Sequence, residues 1–392
     1  MTLKSRVTVL LISTPVLAFV VVGGLMGNAS ATRGDETFQH LRVFEDVIRL
    51  VMNNYVEEVK VDRVMEGAMR GLADGLDPDS AYLNPKQLKE VVSGLALPDG
   101  DVGVELTRSY YLRVIAARDS SPAAKAGLAT GDVVRSIDGK PTREMSVFEG
   151  TRLLRGQPGS KVTLIIIRNN AADPHEVTLV REKRAGAPVS GRMLDGEIGY
   201  VRIPSFHDGV VEGVRQQVAS LSKTGVKSLV VDIRRTAEGS IDNGIAAARL
   251  FVKSGTLTQR GSGQKDKETV ERIDARAGDG AIELPVLLLV TTGTSGAAEV
   301  FAAALDGRDR AELIGERTLG RAGVQKLVKL PENRGLWLTY ARYSTPAGQP
   351  IHGKGLMPDV EVEENDVEFG AAIPQKDPIL DAATERLRAR KG

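Results

Sequence analysis

The chain has 392 residues, with 52 Lys and Arg against 51 Asp and Glu, four His and no Cys. A net charge of +1 without a long run of one sign gives no electrostatic footprint for nucleic acid, and the missing thiols exclude disulfides and a cysteine nucleophile. At roughly 100 to 200 residues per domain, the length calls for two or three domains.

Residues 1–31 open with Lys4 and Arg6, continue through a mostly apolar run from Val7 to Met26, and end in Ala29-Ser30-Ala31. That order predicts export to the cell envelope or periplasm, either through a cleaved signal peptide or on a retained membrane anchor, because the run is long enough to span a bilayer. Residues 36–95 read as a helical hairpin. Leu41, Phe44, Val47, Ile48, Val51 and Tyr55 recur at helical spacing, as do Val64, Met65, Ala68, Leu72 and Leu76. Asp74, Asp77 and Asp79 cluster in DGLDPDS, but the loop lacks the central glycine and closing glutamate of a calcium hand. It is expected to be a turn closed by Asx caps.

Over residues 101–180 the pattern changes to short strands, VGVEL, YLRVIAA and GSKVTLIIIR, with SSPAAKAGLATGDVVRSIDGKP between the second and third. The order SPAAKAGL, GD, V, I and DG resembles a PDZ domain. The resemblance implies capture of an extended peptide by strand addition, with its C-terminal carboxylate held by backbone amides near Val102, Gly103 and Val104.

Arg181 to Ser190 is a polar connector. From 191 to 365, strand and helix alternate: GEIGYVRIPSF, VVEGVRQQVASLSKTGV, KSLVVDIRR, NGIAAARLFV and PVLLLV, as a parallel α/β layer requires. The polar stretch Gly261 to Gly280 is expected to be a surface excursion. Residues 366–392 form a tail that ends in a helix from Pro378 to Arg390, capped by Asp377. The fold class is therefore α/β and multidomain.

Within the α/β region, the apolar run Val286 to Val290 feeds through the small residues Thr291 to Gly296 into a helical pattern. A strand, tight turn and helix of this kind lifts a side chain beside the free N–H groups of a helix start, where hydrolases place a nucleophile near oxyanion donors. The four histidines are scattered and there is no HExxH, GxGxxG or Walker spacing, so neither a metal nor another cofactor is expected.

LDPDSAYL, the PDZ-like block, IGYVRIPSF, DIRR, GAAEVFAAAL, GERTLGRAGVQ and ARYSTPAGQPIHGKGLMPDV together resemble the C-terminal processing peptidases of the S41 serine protease family. The resemblance covers the chain from about Leu41 onward. It implies a serine in the small-residue turn, a lysine base on a nearby strand and a glutamine four residues later that orients it. Matched residue by residue, Gly296 stands in the nucleophile position and Arg321 in the base position, while Gln325 is retained. Of the segment that helps form the oxyanion hole, Thr236 to Gly239 here, Gly239 alone is kept.

Glycine has no oxygen to attack with, and a guanidinium stays protonated at neutral pH. Two readings follow. One is a homologue that binds protein or peptide C-termini without cutting them, with Arg321 on a ligand carboxylate or in a structural ion pair with Glu316 or Asp306. The other is an endopeptidase that uses Ser295 with an unrecognised base, for which Glu299 and His207 are the formal candidates and Lys326 faces the wrong side of its strand. A homo-oligomer is open in either case, and membrane contact is confined to the N-terminal segment.

Overall fold

The computed structural model describes residues 38–94, 96–168, 173–184, 186–194, 197–263, 269–371 and 374–390. The expected leader over residues 1–31 lies outside them. The chain divides into two units, residues 1–69 and 70–392. In the first, a helix spans 38–54, and a second, Val61–Asp74, starts at Val61 and runs on past the boundary. Both expected helices form, yet Leu41, Phe44, Val47 and Tyr55 are exposed, so they do not pack as the hairpin pattern suggests. Nor is residues 36–95 helical throughout: Ala81–Leu83 is a strand, followed by the helix Pro85–Val92 with an Asn84/Gln87 capping box.

The PDZ-like block is an antiparallel sheet with strands Val104–Arg108, Leu112–Ala117, Val133–Ile137, Lys161–Ile167 and His175–Val180 in that order. Alternation along Lys161–Ile167 sends Val162, Leu164 and Ile166 into a core with Leu106, Leu112, Ile137 and Leu154. Val104–Arg108 lies at the end of this sheet, next to the helix Val147–Leu154, whose start is fixed by a Ser146/Glu149 capping box.

The α/β region is built on a six-stranded sheet of Ser190–Met193, Ile198–Arg202, Ser228–Asp232, Val286–Val290, Ala311–Gly315 and Val360–Glu361. All neighbours are parallel except the first pair. Its central strands are apolar on both faces because both faces are covered. Leu229, Val231, Leu288 and Val290 point to the helices Val210–Lys223, Ile241–Ala248 and Ala297–Asp306, whereas Val230, Leu287, Leu289 and Ile314 meet the C-terminal helix Pro378–Ala389. Small residues let the two central helices approach closely: a side chain at Gly244 would lie 2.5 Å from the Ala297 carbonyl.

A second, antiparallel sheet carries Ala81–Leu83, Arg334–Ser344, Thr256–Ser262 and Thr269–Asp274, with Gly323–Leu330 also paired to Arg334–Ser344. The polar stretch expected as a surface excursion is thus partly a β-hairpin: polar side chains were read as loop, whereas the backbone pairs in a solvent-facing sheet. The pairing of Ala81 with Trp337 also sets the DGLDPDS loop beside Arg334–Ser344, the strand that pairs with Gly323–Leu330 just after Arg321.

Candidate functional site

The expected strand, turn and helix is present, and its backbone is tightly held. Thr294 donates its amide to the Thr291 carbonyl at 2.8 Å, and its hydroxyl donates to the Ile233 carbonyl at 3.0 Å. The Ser295 amide donates to the Thr236 carbonyl at 3.0 Å, which ties the turn to the segment expected to help form an oxyanion hole.

Gly296 sits at φ +64°, ψ −119°, just before the helix Ala297–Asp306. This is the sharp strand-to-helix conformation in which hydrolases strain a nucleophile, and glycine adopts it without a Cβ penalty. A side chain there would meet no atom nearer than the Arg321 carbonyl at 3.8 Å. The turn has room for a side chain, and Gly296 supplies none.

Ser295, one residue earlier, is 1% exposed, and its hydroxyl has no hydrogen-bond partner. Neither formal base serves it. The Glu299 carboxylate is fully buried and receives the amides of Gly296 at 3.0 Å, Gly320 at 2.6 Å and Arg321 at 2.7 Å, together with the Thr318 hydroxyl. Burial pushes this carboxyl up, while those donors act to pull it back. The His207 ring places Nε2 3.3 Å from a Glu238 oxygen, and burial, followed by Arg184 and Arg118, pushes its pKa down. Lys326 lies over the Tyr340 ring, 4.9 Å from its centre.

Arg321 has its backbone on Glu299 and its side chain elsewhere. Nε donates to Asp79 Oδ1 at 2.6 Å, and Nη1 donates to the Leu106 carbonyl at 3.2 Å. The ion pair expected with Glu316 or Asp306 is thus made with Asp79, a partner about 240 residues away that strand spacing could not supply. The acidic loop is a turn with Asx caps, as expected: Asp77 accepts the amides of Asp79 at 2.9 Å and Ser80 at 2.8 Å. Among the described residues no group of acids or histidines could hold a metal.

Gln325 donates to the Thr339 hydroxyl at 3.1 Å, which in turn donates to Asp77 at 3.2 Å. Gln325 therefore takes part in holding the acidic loop. Gly239 lies at φ +121° and bridges to Phe206, where a side chain would come within 2.3 Å of the Phe206 backbone, so only glycine fits.

At the PDZ-like loop, Val102 and Val104 are buried, and Gly103, at φ +77°, has no room for a Cβ against Ser121. The Gly103 amide, one of the expected carboxylate donors, already donates to Asp101 Oδ1 at 3.0 Å. Sequence reasoning missed this carboxylate and its neighbour Glu238. Both belong to a charged cluster that also contains Arg118, Arg155, Arg184 and His207. The one hint was an acidic residue where a small-residue oxyanion segment was expected.

Comparison with known proteins agrees with this anatomy. A family model for peptidase family S41 matches residues 197–362, and one for a PDZ domain matches residues 113–168. A carboxy-terminal-processing protease of Bartonella bacilliformis is 31% identical over 87% of this chain and 79% of its own length. The Bacillus subtilis carboxy-terminal processing protease CtpA is 29% identical over 91% and 74%. A solved photosystem II D1 C-terminal processing protease superposes with a TM-score of 0.68 at 29% identity, covering 80% of this chain and 86% of that one. With its PDZ domain ahead of an S41 domain, this chain belongs to the S41 family of carboxy-terminal-processing proteases.

Proposed function

We propose that this protein is an exported member of the S41 family that binds protein or peptide C-termini and does not cut them. The observation that carries this reading is the pair Gly296 and Arg321. The nucleophile position has no side chain, and the base position holds a guanidinium tied to Asp79. A guanidinium stays protonated at neutral pH and so cannot accept the proton of a serine. The use of Ser295 instead is weakened by its buried hydroxyl, which lacks the hydrogen bond to a base that an activated serine needs.

Binding is supported by the PDZ fold and by the end position of Val104–Arg108, the geometry that strand addition uses. Export rests on the charged, apolar and small-residue order of residues 1–31. It is tested by cell fractionation together with N-terminal sequencing of the mature protein.

The deciding experiment incubates purified protein and its Ser295→Ala variant with an unstructured protein, and titrates both with peptides carrying free or amidated C-termini. No cleavage by either form, with affinity that depends on the free carboxylate, is the expected result. Cleavage that disappears in Ser295→Ala would overturn the reading.

A further inference from the structure

The charged cluster beside the PDZ loop has a feature that chain packing alone does not require. Glu238 comes from the α/β domain, in the segment expected to help form an oxyanion hole, yet its carboxylate is received by groups of the PDZ domain and the connector as well as by His207 of its own domain. Arg118 Nη1 lies 3.4 Å from both of its oxygens, Arg184 Nη2 pairs with Oε1, and His207 Nε2 lies 3.3 Å from Oε2. Arg118 belongs to the PDZ domain, and its backbone amide donates to the Gly103 carbonyl at 2.8 Å, so the cluster adjoins the loop expected to hold a peptide carboxylate. Its Nη2 reaches Asp101 at 3.3 Å, and Asp101 in turn takes the Gly103 amide.

The exposures give this site an inside and a mouth. The Glu238 and Arg118 side chains are 9% and 10% exposed, whereas those of Arg184 and His207 are 38% and 42% exposed. A carboxylate could therefore enter past Arg184 and His207 and find Arg118 behind them. Two or more guanidinium donors converging on one carboxylate form a strong and geometrically selective receptor.

Resting on the reading of this protein as a binder of C-termini, we infer that Arg118, Arg184 and His207 form a carboxylate-binding site and that Glu238 is its internal ligand. Glu238 competes with the C-terminal carboxylate of an incoming peptide. A competent site that is only fractionally free weakens the apparent affinity by that fraction, so removing the internal ligand strengthens binding.

The probe is a pool of dye-labelled random decapeptides in three forms: free C-termini without Asp or Glu, the same sequences amidated, and amidated sequences rich in Asp and Glu. Glu238→Ala is expected to bind the free-carboxylate pool about tenfold more tightly than the parent protein and the amidated pool no better. Adding Arg118→Ala to Glu238→Ala should abolish the gain. Glu238→Gln, which keeps the size of the side chain and removes its charge, should show the same direction with a smaller gain. It carries the test if the alanine variant proves unfolded by circular dichroism.

If parent and folded variants bind the free-carboxylate pool equally, or the variants bind it less well, the internal ligand is disproved while the binding function stands. A gain confined to the Asp- and Glu-rich amidated pool overturns the assignment to a chain terminus. If no form binds any pool, both the inference and the proposed function fall.

Discussion

Glu299 shows how much of the turn's geometry one residue holds. Oε1 receives Thr318 and Gly320, and Oε2 receives Gly296 and Arg321, so all four donors need a full carboxylate. Glu299→Gln would turn one acceptor into an N–H₂ facing donors, and is expected to cost about 2–4 kcal/mol, read by denaturant unfolding. Gly296→Ser tests the neighbouring turn. A serine at φ +64° should cost about 1–2 kcal/mol in strain, with no steric obstacle, and should give no cleavage while Arg321 remains. Cleavage by that single variant would show that Arg321 is not what withholds activity. The turn, Gly296 and the buried helix were legible because small residues after an apolar run have few other solutions. Asp79, Leu106 and Glu238 were not: their roles arise from pairings between distant segments, and no local pattern encodes which cation a carboxylate will meet.

At the level of single elements, the helix Ala297–Asp306 ends in a carboxylate where a helix C-terminus favours a cation. Burial, then Asp359 and Asp309, push the Asp306 carboxyl up to about 6. A carboxyl raised in the folded state binds its proton more tightly there than in the unfolded chain. Its contribution is therefore present below about pH 4 and is lost as pH rises to about 6. Asp306 is only about half buried, so screening brings the effect to about 1 kcal/mol. Asp306→Asn should raise unfolding free energy by that amount at pH 7 and by nothing at pH 3.5, measured in urea at both values. An equal gain at both would show that packing, not charge, is responsible. The helix itself was readable from the helical pattern that follows the small-residue turn, whereas the acidic company at its end depends on the Asp359 loop, which approaches from over 50 residues away.

Across residues 70–392, the PDZ domain is tied to the rest of this unit through more than the Glu238 cluster. Arg168 forms a two-point ion pair with the buried Asp132 at 2.7 Å and donates to the Val367 carbonyl at 3.2 Å, and its guanidinium stacks over Phe369. Arg168→Ala leaves Asp132 uncompensated and should cost about 3–5 kcal/mol. It should also speed hydrogen exchange around residues 366–371, because the tail loses its anchor. Unchanged exchange there would show that the stacking of Phe369 on His175 is sufficient. The contact between Arg321 and Leu106 has a further consequence. Val104–Arg108 ends its sheet, and a sheet end is a template on which a further strand, that of a second copy included, can pair. A guanidinium seated on the Leu106 carbonyl takes one acceptor of that edge, so a strand added there, whether a peptide or a second copy, has to pair in a register that leaves Leu106 to Arg321.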